Sequence, residues 1–158
     1  MEQNKLSFDK AKEKALRLLE FRSHSEKELK DKLKYAGADE EDIEKILEFC
    51  RHYGFVNDRD YALRKARDLK NLKKFGKRRI SQELYSKGIS SEYIAQALEE
   101  LDFDDVQDVL LPMVRRKLNG DLERKSIDRC IRYFIYRGYD IGDIKTCIDI
   151  IKGESDEL

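Results

Sequence analysis

The sequence predicts an all-α protein of three tandem three-helix repeats, stacked end to end into an elongated, curved body. Three observations carry that prediction. A short phrase recurs at a near-constant separation of about 50 residues: Leu29, Leu33, Gly37, Ile43 and Leu47 return as Ile80, Leu84, Gly88, Ile94 and Leu98, then as Cys130, Phe134, Gly138, Ile144 and Ile148. A period that long marks a supersecondary unit used repeatedly, and it excludes a two-helix repeat of about 34 residues. Within each copy the apolar residues keep three- and four-residue spacings, the signature of amphipathic helices. The chain is also 42% charged and 40% hydrophobic, with 8 glycines and 1 proline, a composition of surface-rich helices rather than of a sheet or a disordered tail.

The elements follow in order. In the first unit, residues 1–56, Ala11, Ala15 and Leu18 keep a helical spacing, as do Leu29 with Leu33 and Ile43 with Ile46 and Leu47. Ser25-Glu26-Lys27-Glu28 reads as a capping box opening the second helix. Gly37 ends that helix; with Gly37 left-handed, Leu33 and Ala38 become the touching pair of a Schellman motif, and the later copies supply Leu84 with Ile89 and Phe134 with Tyr139. The second unit, 57–102, repeats the first-helix register as Ala62, Ala66 and Leu69. The third, 103–158, slips to Leu110, Leu111, Val114 and Leu118, which implies a short deletion around Asn119 to Leu122. Pro112 either starts or kinks its helix, because it lacks an amide and crowds the preceding turn. The chain closes on an acidic tail, Glu154-Ser155-Asp156-Glu157-Leu158.

Each unit of roughly 50 residues is too small to be comfortable alone, so neighbours must share their burial. No stretch approaches the ~20 apolar residues of a membrane span. Met1 to Lys10 lacks the apolar core of a signal peptide, so a cytoplasmic protein is expected; separately, a monomer is expected.

The candidate chemical sites are bland. Cys50, Cys130 and Cys147 each occupy a slot where another copy carries an aliphatic or alanine residue, so they read as small core hydrophobes and not as metal ligands. An odd number of thiols fits a reducing compartment. His24 and His52 are isolated and beside charged residues, which predicts surface or boundary positions. No phosphate-cradling glycine loop, nucleophile elbow or paired-carboxylate motif is present, and no enzyme, cofactor or metal is expected. Ser25 to Phe49 could suggest a helix-turn-helix, but its reading helix would open with Asp39-Glu40-Glu41-Asp42 and continue with Glu44 and Glu48, which phosphates repel.

Charge is where the copies differ. Lys plus Arg and Asp plus Glu balance at 33 each, yet the distribution is segregated. From Arg59 to Arg79 there are ten basic residues against Asp60 and Asp68, whereas Glu99 to Asp108 holds six acids and no base. Arg64, Arg67, Lys70 and Lys74 lie off the stripe of Ala62, Ala66 and Leu69, and Arg78 lies opposite Ile80 and Leu84. Arg115, Arg116, Arg124, Lys125, Arg129 and Arg132 form a more diluted second group. The pattern points to an anionic partner. Nearby aromatics (Tyr61, Phe75, Tyr85) are too few to indicate base stacking.

One family has this phrase. Gly76-Lys77-Arg78-Arg79-Ile80-Ser81-Gln82-Glu83-Leu84-Tyr85-Ser86-Lys87-Gly88-Ile89 resembles the central motif of the RecX regulatory proteins, G-x-x-R-I-x-x-E-L-x-x-K-G-I. Tyr53-Gly54-Phe55-Val56-Asn57-Asp58 with Tyr61-Ala62 is similar to that family's link between its first two units, and Arg137-Gly138-Tyr139 stands where it usually has Arg-Gly-Phe. Lys77 stands where many members have proline. The resemblance runs from about Lys10 to Ile151. It implies a modulator of the bacterial recombinase RecA that binds the RecA filament on DNA and restrains ATP hydrolysis, filament extension and strand exchange, with single-stranded DNA a secondary partner. On that reading Arg64, Arg67, Lys70, Lys74, Arg78 and Arg79, with Arg115 and Arg116, are the expected partner-binding residues. The alternative is a helical-repeat nucleic-acid-binding protein that acts without RecA.

Overall fold

The structure, a computed structural model, describes residues 5–157. Met1 to Asn4, part of the segment read against a signal peptide, and Leu158 of the acidic tail lie outside the described residues. Among the described residues the chain forms helices α1 (Phe8–Phe21), α2 (Glu26–Tyr35), α3 (Glu40–His52), α4 (Asp58–Asn71), α5 (Lys77–Ser86), α6 (Ser91–Glu100), α7 (Val106–Leu118), α8 (Arg124–Tyr136) and α9 (Ile141–Asp156), and no strand. It is all-α with a repeated helix triplet. None of these helices is long and apolar enough to cross a membrane.

The caps fall where the sequence placed them. Ser25 closes a capping box with Glu28: its hydroxyl accepts from the Glu28 amide at 3.1 Å, and the Glu28 carboxylate accepts from the Ser25 amide at 3.2 Å. All three Schellman motifs form. The amides of Ala38, Ile89 and Tyr139 donate to the carbonyls of Leu33, Leu84 and Phe134 at 3.0, 3.2 and 3.0 Å. Gly37, Gly88 and Gly138 take φ of 96°, 77° and 99°, the left-handed region those turns need.

The chain divides into two compact units. Among the described residues, one holds 5–65 together with Leu84–Ala97; the other holds Ala66–Glu83 and 98–157. The division passes through α4, α5 and α6. In the first unit Ala11, Ala15, Leu29, Leu33, Ile43, Ile46, Leu47, Cys50 and Val56 form one buried cluster. In the second, Leu110, Val114, Leu118, Cys130, Phe134, Tyr139, Ile144, Cys147, Ile148 and Ile151 form another. The cysteines are free and buried, as their slots predicted, and burial pushes all three thiols up from their ordinary value.

Each unit also contains one head-to-tail joint between middle helices. In the first, the C-terminal end of α5 meets the start of α2: the Ser25 hydroxyl donates to the Lys87 carbonyl at 2.7 Å, and a Cβ on Gly88 would lie 2.5 Å from the Lys27 side chain. In the second, the C-terminal end of α8 meets the start of α5: the amides of Gly76 and Arg78 donate to the carbonyls of Arg137 and Gly138 at 2.9 and 3.2 Å. At the second joint the carbonyls beyond the end of α8 thereby satisfy unpaired backbone donors at the start of α5, while at the first the Ser25 hydroxyl satisfies the carbonyl beyond the end of α5. Ser25 serves both its own helix and the joint. Ser25→Ala is therefore expected to cost about 2 kcal/mol, the upper end for a lost N-cap, measured as a lower urea midpoint at unchanged slope.

Two expectations need correction, and the alternatives left open at Pro112 narrow to one. The third unit carries no deletion between its first two helices; α8 has 13 residues where α2 and α5 have 10, and the added turn lies ahead of Cys130. The connection before it is a left-handed turn at Asn119 (φ 50°) and Gly120 (φ 80°). His24 is not at the surface but 2% exposed. Its ring is held between the Arg22 carbonyl, 2.9 Å from Nδ1, and the Lys32 ammonium, 2.8 Å from Nε2, so Nδ1 donates, Nε2 accepts and the imidazole is neutral. Burial lowers its pKa, with the Arg22 and Lys32 charges acting in the same direction. Its counterpart one repeat on is Phe75, a sign in the sequence that the slot is shielded. Pro112 starts no helix; it lies inside α7, which proceeds without that amide.

Candidate functional site

The basic residues singled out from the sequence have unequal fates. Arg64, in the first unit, is exposed and pairs along its own helix with Asp60 at 3.1 Å. The others belong to the second unit. Arg67, Lys74 and Arg78 are exposed and have no ion-pair partner among the described residues. Arg116 is likewise exposed. Arg115 is exposed but makes a two-pronged contact with Glu154 at 2.6 and 2.8 Å. Exposed pairs such as Arg64 with Asp60 and Arg115 with Glu154 cost little to open, so these cations stay available.

Lys70 and Arg79 are different. The Lys70 side chain is 16% exposed, and its ammonium sits 3.3 Å from Asp105 and 5.6 Å from the Phe103 ring centre. The acidic segment that follows α6 thus occupies this lysine. Arg79 is 20% exposed: Nε donates to Glu83 at 2.9 Å and Nη1 to the Tyr136 carbonyl at 3.2 Å. Hydrogen bonds to Tyr136 and Glu83 raise its pKa further. Both residues serve the packing of their unit. Lys77 and Arg78 border a cleft of about 580 Å³ whose lining also includes Phe103, Val106, Asp140 and Asp143, so its charge is mixed.

The structure also assembles a feature that residue counting missed. The Arg79 guanidinium lies 4.9 Å from the Phe75 ring centre and 4.6 Å from that of Tyr136. Arg137 lies 5.0 Å from Phe75 and 5.7 Å from Tyr133, and the Lys117 ammonium lies 4.1 Å from Tyr133. Cations and rings therefore alternate as Lys117, Tyr133, Arg137, Phe75, Arg79, Tyr136. Arg137 also donates to the Lys73 carbonyl, and the Tyr139 hydroxyl to the Lys74 carbonyl at 2.6 Å. Burial pushes the Tyr139 phenol up to about 12, so it remains a donor at any ordinary pH. Lys74 itself is left-handed, with φ of 57°.

The two joints show how this surface arose. The repeat pairs Gly76 with Ser25, Arg79 with Glu28 and Arg137 with Lys87. In the first unit those slots balance: Glu28 lies 2.9 Å from Arg22 and 3.7 Å from Lys87. In the second unit both slots carry arginine, against one carboxylate at Glu83. The i, i+4 spacing of Tyr133 and Arg137, which puts ring and cation on one helix face, is legible in the sequence, whereas Lys117, Phe75, Arg79 and Tyr136 join them only through the fold.

No group of three or more His, Cys, Asp or Glu side chains is placed to hold a metal ion among the described residues.

Comparison with known proteins places the chain in a family. The family models described as RecX, first three-helix domain, and RecX, second three-helix domain, match residues 11–50 and 57–98. The regulatory protein RecX of Clostridium botulinum (strain Eklund 17B / Type B) is 31% identical over 154 residues, covering 94% of this chain and 70% of that protein. The regulatory protein RecX of Vibrio vulnificus (strain CMCP6) is 32% identical over 139 residues, covering 87% and 90%. A crystal structure of RecX from Lactobacillus salivarius superposes with a TM-score of 0.79 at 22% identity over 92% of this chain and 96% of that one, a likeness of fold.

Proposed function

This chain belongs to the RecX family of regulatory proteins, and on that premise we propose that it binds the RecA filament on DNA and inhibits RecA ATPase, filament extension and strand exchange. The observation that supports the reading most directly is a set of exposed cations, Arg67, Lys74 and Arg78, left without ion-pair partners among the described residues of a repeat protein. Charges of that kind steer a protein onto a polyanionic assembly and lose little hydration in doing so. The second and third repeats can each contribute a modest contact, and the linkage between them makes the sum tight. Arg64, Arg115 and Arg116 extend the proposed contact set, while Lys70 and Arg79 hold the shape of the surface.

The test is RecA ATPase on single-stranded DNA, with wild-type protein and with Arg64→Glu, Arg67→Glu and Lys74→Glu combined. The triple reversal is expected to raise the concentration for half-inhibition at least about ten-fold while leaving the thermal midpoint within a few degrees. Inhibition undiminished by the three reversals removes this surface from the mechanism. A wild-type protein with no effect at saturation removes the proposal itself.

The reading as a nucleic-acid binder independent of RecA draws support from the alternation of cations and rings in the second unit. A salt titration separates the two, since phosphate neutralisation gives a steep log–log slope for binding to DNA alone.

A further inference from the structure

We infer that the strip Lys117, Tyr133, Arg137, Phe75, Arg79 and Tyr136 is a stacking platform for unpaired nucleic-acid bases, with Tyr136 and Tyr133 receiving the bases and the cations between them holding the backbone phosphates. Tyr136 is 71% exposed and Tyr133 40%, although both lie on a helix whose other face is buried. Large rings left in water next to fixed cations are what a stacking site requires.

Lys117 and Arg137 have no ion-pair partner among the described residues, whereas Arg79 is shared with Glu83. Arg79 and Arg137 direct hydrogen bonds to the carbonyls of Tyr136 and Lys73, which restrain the guanidiniums without cancelling their charge. Glu83 is the carboxylate paired within the strip, and it faces Arg79. The Arg79 guanidinium 4.6 Å from its ring centre favours one placement of the Tyr136 ring, which lowers the rotamer freedom to be lost when a base arrives. An unpaired strand offers both complements at once, a π-face on every base and a charge on every phosphate. A duplex offers only the phosphates, because its bases are already stacked on one another. An acidic peptide would satisfy the cations and leave the rings bare.

The inference stands apart from the recombinase reading and is tested without RecA. Fluorescence anisotropy would follow binding of a labelled thymidine oligomer, an abasic strand of equal length and a duplex. The chain has no tryptophan and 8 tyrosines, so quenching of tyrosine emission that disappears in the Tyr133→Phe, Tyr136→Phe pair reports stacking at these two rings. The thymidine strand is expected to bind about ten-fold tighter than the abasic strand or the duplex, with quenching. Tyr136→Leu is expected to weaken it about five- to ten-fold and the Tyr133→Leu, Tyr136→Leu pair more, while the pair of phenylalanine substitutions stays within about two-fold. Tyr136 is exposed enough that its leucine variant keeps the fold, and that single variant decides the matter should the double variant unfold. Equal affinity for the thymidine and abasic strands, or for the duplex, overturns the inference. So does leucine substitution that leaves strand binding intact, or that abolishes binding to a protein filament while no free strand is bound at all.

Discussion

Gly138→Ala is expected to destabilise the protein by about 3–5 kcal/mol, more than any change at the exposed cations. Two penalties coincide at this glycine. Its φ of 99° lies where an L side chain is strained. A Cβ there would also lie 2.3 Å from the Arg79 amide nitrogen and 2.4 Å from the Arg79 Cβ. Backbone cannot yield as a flexible side chain would, so the α8-to-α5 joint must open. Gly76 approaches from the other side: its Cβ would meet the Gly138 carbonyl oxygen at 2.4 Å, and Gly76→Ala should cost nearly as much without any strain in φ. Gly54 provides the control. Its φ is 71° but nothing lies within 4 Å of the added carbon, so Gly54→Ala should cost only about 1 kcal/mol. Urea unfolding of the three variants measures the ranking. Equal losses at Gly138 and Gly54 would falsify the close-packed joint.

Stability should fall by about 3 kcal/mol between pH 5 and pH 2, most of it through Glu28. Burial works against this carboxylate, but hydrogen bonds from Arg22, the Ser25 amide and the Tyr61 phenol, with the Arg22 charge, bring its pKa from an ordinary 4.5 down to about 2. The unfolded chain therefore takes up the proton first. The stabilisation is complete above the unfolded value and is lost as pH drops toward the folded one. A shift of this size corresponds to about 3 kcal/mol, and the side chain is only 12% exposed, so screening removes little of it. Other ionisable groups around the joint are Arg22, Lys87, Tyr61, Glu26, Arg51 and Asp58. Asp58 accepts from the Glu26 amide at 2.9 Å, yet burial raises its pKa, and it partly offsets the slope with the opposite sign. Glu28→Gln isolates the effect. Its deficit against wild type should be near 3 kcal/mol at pH 7 and shrink toward pH 2.5, read from urea midpoints at each pH. A deficit constant across that range would assign the loss to packing instead.

These two glycine and carboxylate sites show which kinds of information are local. The Schellman glycines and the Ser25 box were legible because each involves donors and acceptors within six residues, and their side-chain types are restricted by backbone geometry alone. The cysteines were legible because the repeat supplied aliphatic counterparts at the same slots. His24 was not, since its burial depends on a carbonyl at Arg22 and an ammonium at Lys32 closing around the ring. Phe75 at the matching slot was the clue.

The candidate surface divides in the same way. Charge density along Arg59 to Arg79 identified a cationic region, and Arg67, Lys74 and Arg78 are indeed exposed there. Composition could not separate them from Lys70 and Arg79, which have the same residue types but lie against Asp105, Glu83 and aromatic rings. Nor could it bring Phe75 next to Arg137, because that contact exists only where the amides of Gly76 and Arg78 meet the carbonyls of Arg137 and Gly138.

By itself, then, the sequence determined the all-α class, the repeated triplet, its caps and most of its core, since periodicity and capping act over one or two helical turns. Only the tertiary structure decided which cations are free and which rings they face. Helix ends distant in the chain must satisfy one another's unpaired backbone groups, and the joints so formed carry their side chains into new company.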